Sequence, residues 1–325
     1  MQSLIEQISN IGILPVIRID DPLDTLPMID ALAKGGIDSA EITFRSEYAA
    51  QAIKDIATTY PHILVGAGTV LTIEQAQAAK DAGAKFIVTP GFSDEVVTWC
   101  INNDILILPG VSTATEIEKA LHYGLKTVKF FPAESSGGAK RIKDLSAPYS
   151  MMKFIPTGGI NQTNMHDYLS LPCVEAIGGS FMLPQTLVDQ KNWDAITACT
   201  QDTIKSLLNY RLIHIGINNN SKEDATKSAI MLSNLFGFKL YEKPKSVFAG
   251  EGFEFLHSKG PGENGHIGLY TPYPEKALYQ LAKAGIHALP ETITRNKKTN
   301  RINFAYLDLE ISGFKFHLIN PDIKM

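Results

Sequence analysis

Lys126-Thr-Val-Lys-Phe-Phe-Pro-Ala-Glu134 is an apolar run broken by one internal lysine and closed by a proline. In a strand, side chains alternate between two faces. Thr127, Lys129 and Phe131 then share one face, and Val128 and Phe130 share the other. Burying an ammonium is expensive, so Lys129 reads in one of two ways. It is an edge-strand lysine in water, as most lysines are, or it points into the mouth of a barrel, where its amine can attack a carbonyl. The surrounding chain decides between them.

From Gly12 to about Ser180 one pattern repeats: a short apolar run, a polar turn, then a segment of helical period. The apolar runs predict strands at Ile13–Ile19, Ser39–Phe44, Ile63–Thr69, Phe86–Pro90, Leu106–Val111, Thr127–Phe131, Lys153–Thr157 and Val174–Gly178. Helices fall between them, for example Thr25–Lys34, Ala49–Tyr60, Ile73–Ala82 and Thr115–Tyr123, with Gly35, Gly83 and Gly124 expected as caps. Strands alternating with helices imply a parallel sheet, and this count fits an α/β fold of the (β/α)₈ TIM-barrel type. A doubly wound sheet is the competitor, but no strand here is followed by G-x-G-x-x-G.

In such a barrel the chemistry belongs at the C-terminal strand ends. Those ends carry Arg18, Glu41 with Arg45, Thr69, Pro90, Gly110, Lys129 with Phe131, Thr157 with Gly158 and Gly159, and Gly179 with Ser180. One or two polar strand ends are ordinary. A glutamate, arginines, two threonines and a lysine on one rim imply a functional site.

Composition narrows the setting. A chain of 325 residues suits two domains. Its 44 % apolar and 20 % charged content is that of a soluble globular protein. A net charge of −4 gives no argument for nucleic acid or an anionic membrane as partner. No apolar run approaches the roughly 18 residues of a membrane span. Cys100, Cys173 and Cys199 are far apart and read as reduced thiols, and the N-terminal segment reads as an amphipathic helix, not a signal peptide. The expected compartment is the cytoplasm.

Six motifs carry a more specific likeness. Glu41-Ile-Thr-Phe-Arg45, Val65-Gly-Ala-Gly-Thr69, Pro109-Gly-Val-Ser-Thr113, Lys129-Phe-Phe-Pro-Ala133, Pro156-Thr-Gly-Gly159 and Ile177-Gly-Gly-Ser180 occur in unbroken order. Together they resemble the class I 2-keto-3-deoxy-6-phosphogluconate (KDPG) and 4-hydroxy-2-oxoglutarate aldolase family over residues 5–208. The resemblance implies a trimeric barrel that splits a keto acid into pyruvate and an aldehyde without any cofactor. It implies Lys129 as Schiff-base lysine and Glu41 as general acid/base. It further implies that Arg45 holds the substrate carboxylate, that Thr69 and Thr157 offer hydroxyls, and that Phe131 and Pro90 wall the pyruvyl end. The small residues Gly158, Gly159, Gly179 and Ser180, with Arg18, form the expected phosphate site. Gly-Gly alone also serves as a tight turn, and Arg18 also reads as a solvated strand-end arginine. A phosphorylated sugar acid, giving glyceraldehyde 3-phosphate, is preferred as substrate over 4-hydroxy-2-oxoglutarate, which gives glyoxylate.

The remaining residues, 211–325, repeat a βαβββ order with a period of about 52 residues. The markers are His214-Ile-Gly-Ile and His266-Ile-Gly-Leu, then Gly252-Phe-Glu-Phe-Leu and Gly313-Phe-Lys-Phe-His-Leu. Strands are expected at Leu212–Ile217, Lys239–Tyr241, Ser246–Phe248, Phe253–His257, Gly265–Tyr270, His287–Pro290, Phe304–Asp308 and Gly313–Ile319, with helices at Asp224–Phe236 and Tyr273–Ala284. This smaller α+β domain of two modules resembles the vicinal oxygen chelate (glyoxalase I-like) superfamily. The resemblance implies a divalent metal (zinc, nickel, iron or manganese) on His214, Glu254, His266 and His317, the last standing where a glutamate is usual. Half-buried strand histidines without metal are the plain alternative. The domain is expected to be accessory or regulatory, to hold a second metal-dependent activity, or to serve only for assembly. A homotrimer or hexamer is expected for the whole.

Overall fold

The computed structural model describes residues 3–297 and 299–320. The chain divides into two compact units, Met1–Leu207 and Leu208–Met325.

The first unit is a curled parallel sheet with helices around it, a TIM-barrel-like fold. Its strands are β1 (Ile13–Ile17), β2 (Ser39–Thr43), β3 (Leu64–Gly68), β4 (Phe86–Val88), β5 (Leu106–Leu108), β6 (Gly110–Val111), β7 (Thr127–Phe130), β8 (Lys153–Pro156) and β9 (Ile177–Gly179). Hydrogen bonding runs β5-β4-β3-β2-β1-β9 on one side and β6-β7-β8 on the other. β5 and β6 are two pieces of one strand, parted at Pro109, which has no N–H to give to a ladder. Bridges Phe154↔Val174 and Thr157↔Gly178 join β8 to β9 and complete the circle. The expected strand at Val174–Gly178 is thus shorter, with Val174 making only a bridge.

The helices start where hydrogen-bonding side chains stop them fraying. Ser3 with Glu6 and Thr113 with Glu116 form capping boxes, and Thr72 and Ser93 accept from the backbone N–H of Gln75 and Val96. One expected cap is corrected. Gly35 lies inside the helix Thr25–Gly35, and the left-handed cap is Gly36 at φ 110°. Gly35 is small for another reason: a Cβ there would stand 2.3 Å from Cβ of Thr200. The strands β2 and β3 are buried along their whole length, as parallel strands covered on both faces must be.

Among the described residues, the second unit is one eight-stranded sheet with two α-helices. Its strands are β10 (Arg211–Ile217), β11 (Leu240–Lys243), β12 (Ser246–Ala249), β13 (Phe253–Leu256), β14 (Gly265–Tyr270), β15 (Thr294–Arg295), β16 (Ile302–Ile311) and β17 (Phe314–Ile319). The order is β11-β12-β13-β10-β14-β17-β16-β15. It reads the same from either edge: in each half the first strand pairs parallel with the last, and β10 and β14 join the halves antiparallel. The helix Lys222–Phe236 lays Ala225 and Ala229 against Val247, Ala249 and Phe255. The strand expected at His287–Pro290 is not formed. Ala288 makes a single bridge to Leu307, Pro290 opens a 3₁₀ turn, and pairing resumes at β15. No helix among the described residues is long and apolar enough to cross a membrane.

Candidate active site and candidate metal centre

β2 and β7 each carry a buried ionisable side chain. Lys129 is 5 % exposed and Glu41 is 1 % exposed. Lys129 Nζ stands 3.1 Å from Glu41 Oε1, across 88 residues of sequence, and lies 5.2 Å from the centre of the Phe131 ring. Ile155 is opposite Lys129 in the register, so Thr157, two residues on, faces the same side. Two polar atoms there are buried without a partner: Glu41 Oε2 and Thr157 Oγ1. Buried polar atoms are normally satisfied, and a pair left open beside a buried amine is where a ligand's oxygens complete the network.

Glycines make this convergence possible. A Cβ on Gly68 would stand 2.2 Å from Glu41 Oε1, and one on Gly178 would stand 2.2 Å from Thr157 Oγ1. The carboxylate and the hydroxyl lie directly over bare backbone. Gly110 lets β6 approach the Pro90 carbonyl, which a Cβ would meet at 2.1 Å. Gly68 and Gly178 belong to sequence motifs quoted above, but a strand glycine reads first as a turn or bulge.

The other residues picked from sequence lie around this centre. Thr69 is half-buried with φ 54°, and Pro90 and Phe131 are half-buried on the rim. Gly158 and Gly159 turn the chain after β8 with φ 104° and 80°. Arg45 is exposed, its Nε 3.4 Å from Thr43 Oγ1. Arg18 is exposed and pairs with Asp20 at 2.7 Å. Arg18, Arg45 and Ser180 line a cavity of about 650 Å³ beside β1 and β9, with Asp21, Asp24 and Lys191. Lys129 and Glu41 do not line it; both side chains are buried in the barrel.

Glu134, which looks like part of a solvated loop, is engaged. Its N–H donates to the Gly158 carbonyl at 3.0 Å, its side chain covers Gly159, and its carboxylate accepts from Tyr168. Burial, then that carboxylate, pushes the Tyr168 phenol well up.

In the second unit His214 (β10), Glu254 (β13), His266 (β14) and His317 (β17) meet at one point. His214 Nε2 is 3.0 Å from His266 Nε2 and 3.2 Å from His317 Nε2. Glu254 Oε2 is 3.2 Å from His266 Nε2 and 3.6 Å from His214 Nε2. The three histidines form a group able to hold a metal ion. Burial, then the His266 charge, pushes His214 down to about 4. Burial, then His214 and His266, pushes His317 down to about 3. Both are therefore neutral near pH 7, the form that binds metal. Burial works to raise the Glu254 carboxyl, but hydrogen bonds from His266 and Ser246 outweigh it and hold it below its usual range. A neutral imidazole nitrogen offers one proton or one lone pair. His214 Nε2, with two nitrogens and an oxygen around it, cannot satisfy them all that way. A single cation shared by these side chains would. The donor set fits a divalent metal.

Residues 4–199 match the family model Aldolase: KDPG and KHG aldolase. The chain is 46 % identical over 203 residues to the 2-dehydro-3-deoxy-phosphogluconate aldolase of Haemophilus influenzae, covering 62 % of this chain and 96 % of that protein. It is 42 % identical over 205 residues to the enzyme of the same name from Treponema pallidum, covering 63 % and 98 %. Among solved structures, the KDPG aldolase of Legionella pneumophila, with pyruvate captured as a covalent carbinolamine, superposes with a TM-score of 0.60 at 36 % identity, covering 62 % of this chain and 98 % of that one. The family match ends before the second unit begins. The chain belongs to the KDPG and KHG aldolase family.

The buried pair makes a stability prediction. Lys129→Met leaves a buried carboxylate without its partner and should destabilise the first unit by about 3–5 kcal/mol. Adding Glu41→Gln should recover most of that loss in a denaturant-unfolding cycle. Simple additivity of the two substitutions would mean that the pair is not coupled.

Proposed function

We propose, on the premise of that family membership, that the first unit is a Schiff-base aldolase. It cleaves a 2-keto-3-deoxy-6-phospho-sugar acid to pyruvate and glyceraldehyde 3-phosphate. The observation that carries this is the buried Lys129 amine 3.1 Å from Glu41 Oε1, with the second carboxylate oxygen unpartnered.

The residues divide the work as follows. Lys129 attacks the C2 carbonyl, and Glu41 moves the protons that turn the carbinolamine into an iminium and water. Glu41 then takes the C4 hydroxyl proton. The C3–C4 bond breaks, its electrons move into the iminium to give an enamine, and the aldehyde leaves. Protonation of C3 and hydrolysis release pyruvate and the free amine. Thr157 Oγ1 and Thr69 hold substrate oxygens, Arg45 grips the carboxylate with its planar fork, and Phe131 and Pro90 shield the pyruvyl group. Phosphate rests on the backbone of Gly158, Gly159 and Gly179 with Ser180 and Arg18, the small residues leaving the N–H groups bare. The shorter 4-hydroxy-2-oxoglutarate uses the same lysine but leaves this subsite empty. The three free cysteines suit a reducing compartment such as the cytoplasm, and the assembly is a trimer or a hexamer.

For the second unit the convergence of three imidazoles and a carboxylate supports a divalent metal on His214, Glu254, His266 and His317, in a glyoxalase I-like domain. Such an ion supplies Lewis-acid polarisation of a bound oxygen.

Pyruvate release from the phosphorylated sugar acid should persist in excess EDTA and fall by about 10²–10⁴-fold in Glu41→Gln. A Lys129→Ala variant keeping the wild-type rate would contradict the mechanism. Elemental analysis of the dialysed protein should find one divalent metal per chain, lost in His266→Ala. Metal-free wild-type protein that stays metal-free after incubation with zinc would contradict the second assignment.

A further inference from the structure

We infer that Gly216 and Gly268 are positioning residues of the histidine centre, each strand supplying the bare backbone on which the other strand's imidazole lies. The inference rests on the metal reading above but also has a purely steric test. In the β10–β14 ladder Gly216 faces His266, and His214 faces Gly268. A Cβ on Gly216 would stand 2.1 Å from Cε1 and 2.4 Å from Nε2 of His266. One on Gly268 would stand 2.6 Å from Cε1 of His214 and 2.9 Å from Cε1 of His317. All three rings therefore rest on two glycines.

The backbone does not ask for glycine at either place. Neither residue has a positive φ, unlike Gly262, Gly265 and Gly313 nearby in the same unit. A glycine inside a strand weakens it, through entropy and lost side-chain packing. Having two in the central strands, each two residues after a histidine and each facing the other strand's histidine, is explained by the rings they admit. The repeated His-x-Gly is thus a reciprocal device: each copy of the motif gives one imidazole and the floor for the other copy's imidazole. Ser246 completes the positioning from β12. Its hydroxyl donates to Glu254 Oε1 at 2.6 Å, leaving Oε2 turned to His266 and His214. Partners that orient ligands in this way typically contribute about 10–100-fold in metal affinity.

The test uses the full-length chain and Co²⁺, whose visible spectrum reports its surroundings. Wild type should bind one Co²⁺ per chain. Gly216→Ala, Gly268→Ala and Ser246→Ala should bind about 10–100-fold more weakly in chelator competition, with altered spectra. Gly252→Ala, whose Cβ would meet nothing within 4 Å, should match wild type. Wild-type affinity and spectrum in both glycine variants would overturn the inference, whereas no Co²⁺ uptake by wild type would overturn the metal reading on which it rests. The steric claim is tested without metal. Gly216→Ala should lower the melting temperature of the apo protein when His266 is present, and not in a His266→Ala background. An equal loss in both backgrounds would show that the glycine serves the strand and not the ring.

Discussion

An amine and a carboxylate, Lys129 and Glu41, are buried together in a barrel whose interior is mostly aliphatic and aromatic. Either group alone would be costly there, and removing one partner from such a pair is more damaging than replacing both. The first unit is arranged around that constraint. β2 and β7 lie on different stretches of the circular sheet, and their ends must be held so that Nζ and Oε1 meet. The parallel ladders set the register, and Gly68 lets the carboxylate lie against β3. Gly178 does the same for the Thr157 hydroxyl. In the proposed reaction that rigidity is useful, because the groups that attack the carbonyl carbon and remove the proton are fixed before the substrate arrives.

The second unit solves a similar problem with other means. Three rings and a carboxylate come from four strands, two from each half of a sheet whose order is palindromic. The aromatic rings of Phe248, Phe304 and Tyr306 pack against the imidazoles. In both units polar side chains converge over strands stripped to glycine. In the barrel this lets strand ends crowd around a small volume. In the second sheet it lets flat rings stack close to the backbone.

The sequence made Lys129 and Glu41 visible because each interrupts an apolar strand, and strands alternating with capped helices place those interruptions on one rim. The histidine set was visible through the 52-residue repeat. What was hidden has a common cause. A glycine in sequence looks like a turn, a bulge or a cap, and only three-dimensional neighbours show which side chain needs the space. Gly68, Gly178, Gly216 and Gly268 are of this kind, and Gly35, which reads as a cap, instead makes room for Thr200. Glu134 and Ser246 act through partners 34 and 8 residues away, a separation that local patterns do not encode. Pro290 shows the opposite failure: the apolar pattern at His287–Pro290 looked like a strand, but proline cannot donate to the ladder.

The central claim is that the Lys129 amine forms a covalent bond to the keto carbon, and borohydride trapping measures it most directly. Full-length protein incubated with pyruvate and borohydride, digested and analysed by mass spectrometry, should carry a stable reduced pyruvate adduct on Lys129. The Glu41→Gln variant should form it more slowly. A folded protein that gains no adduct, or gains it on a lysine other than Lys129, would contradict the account.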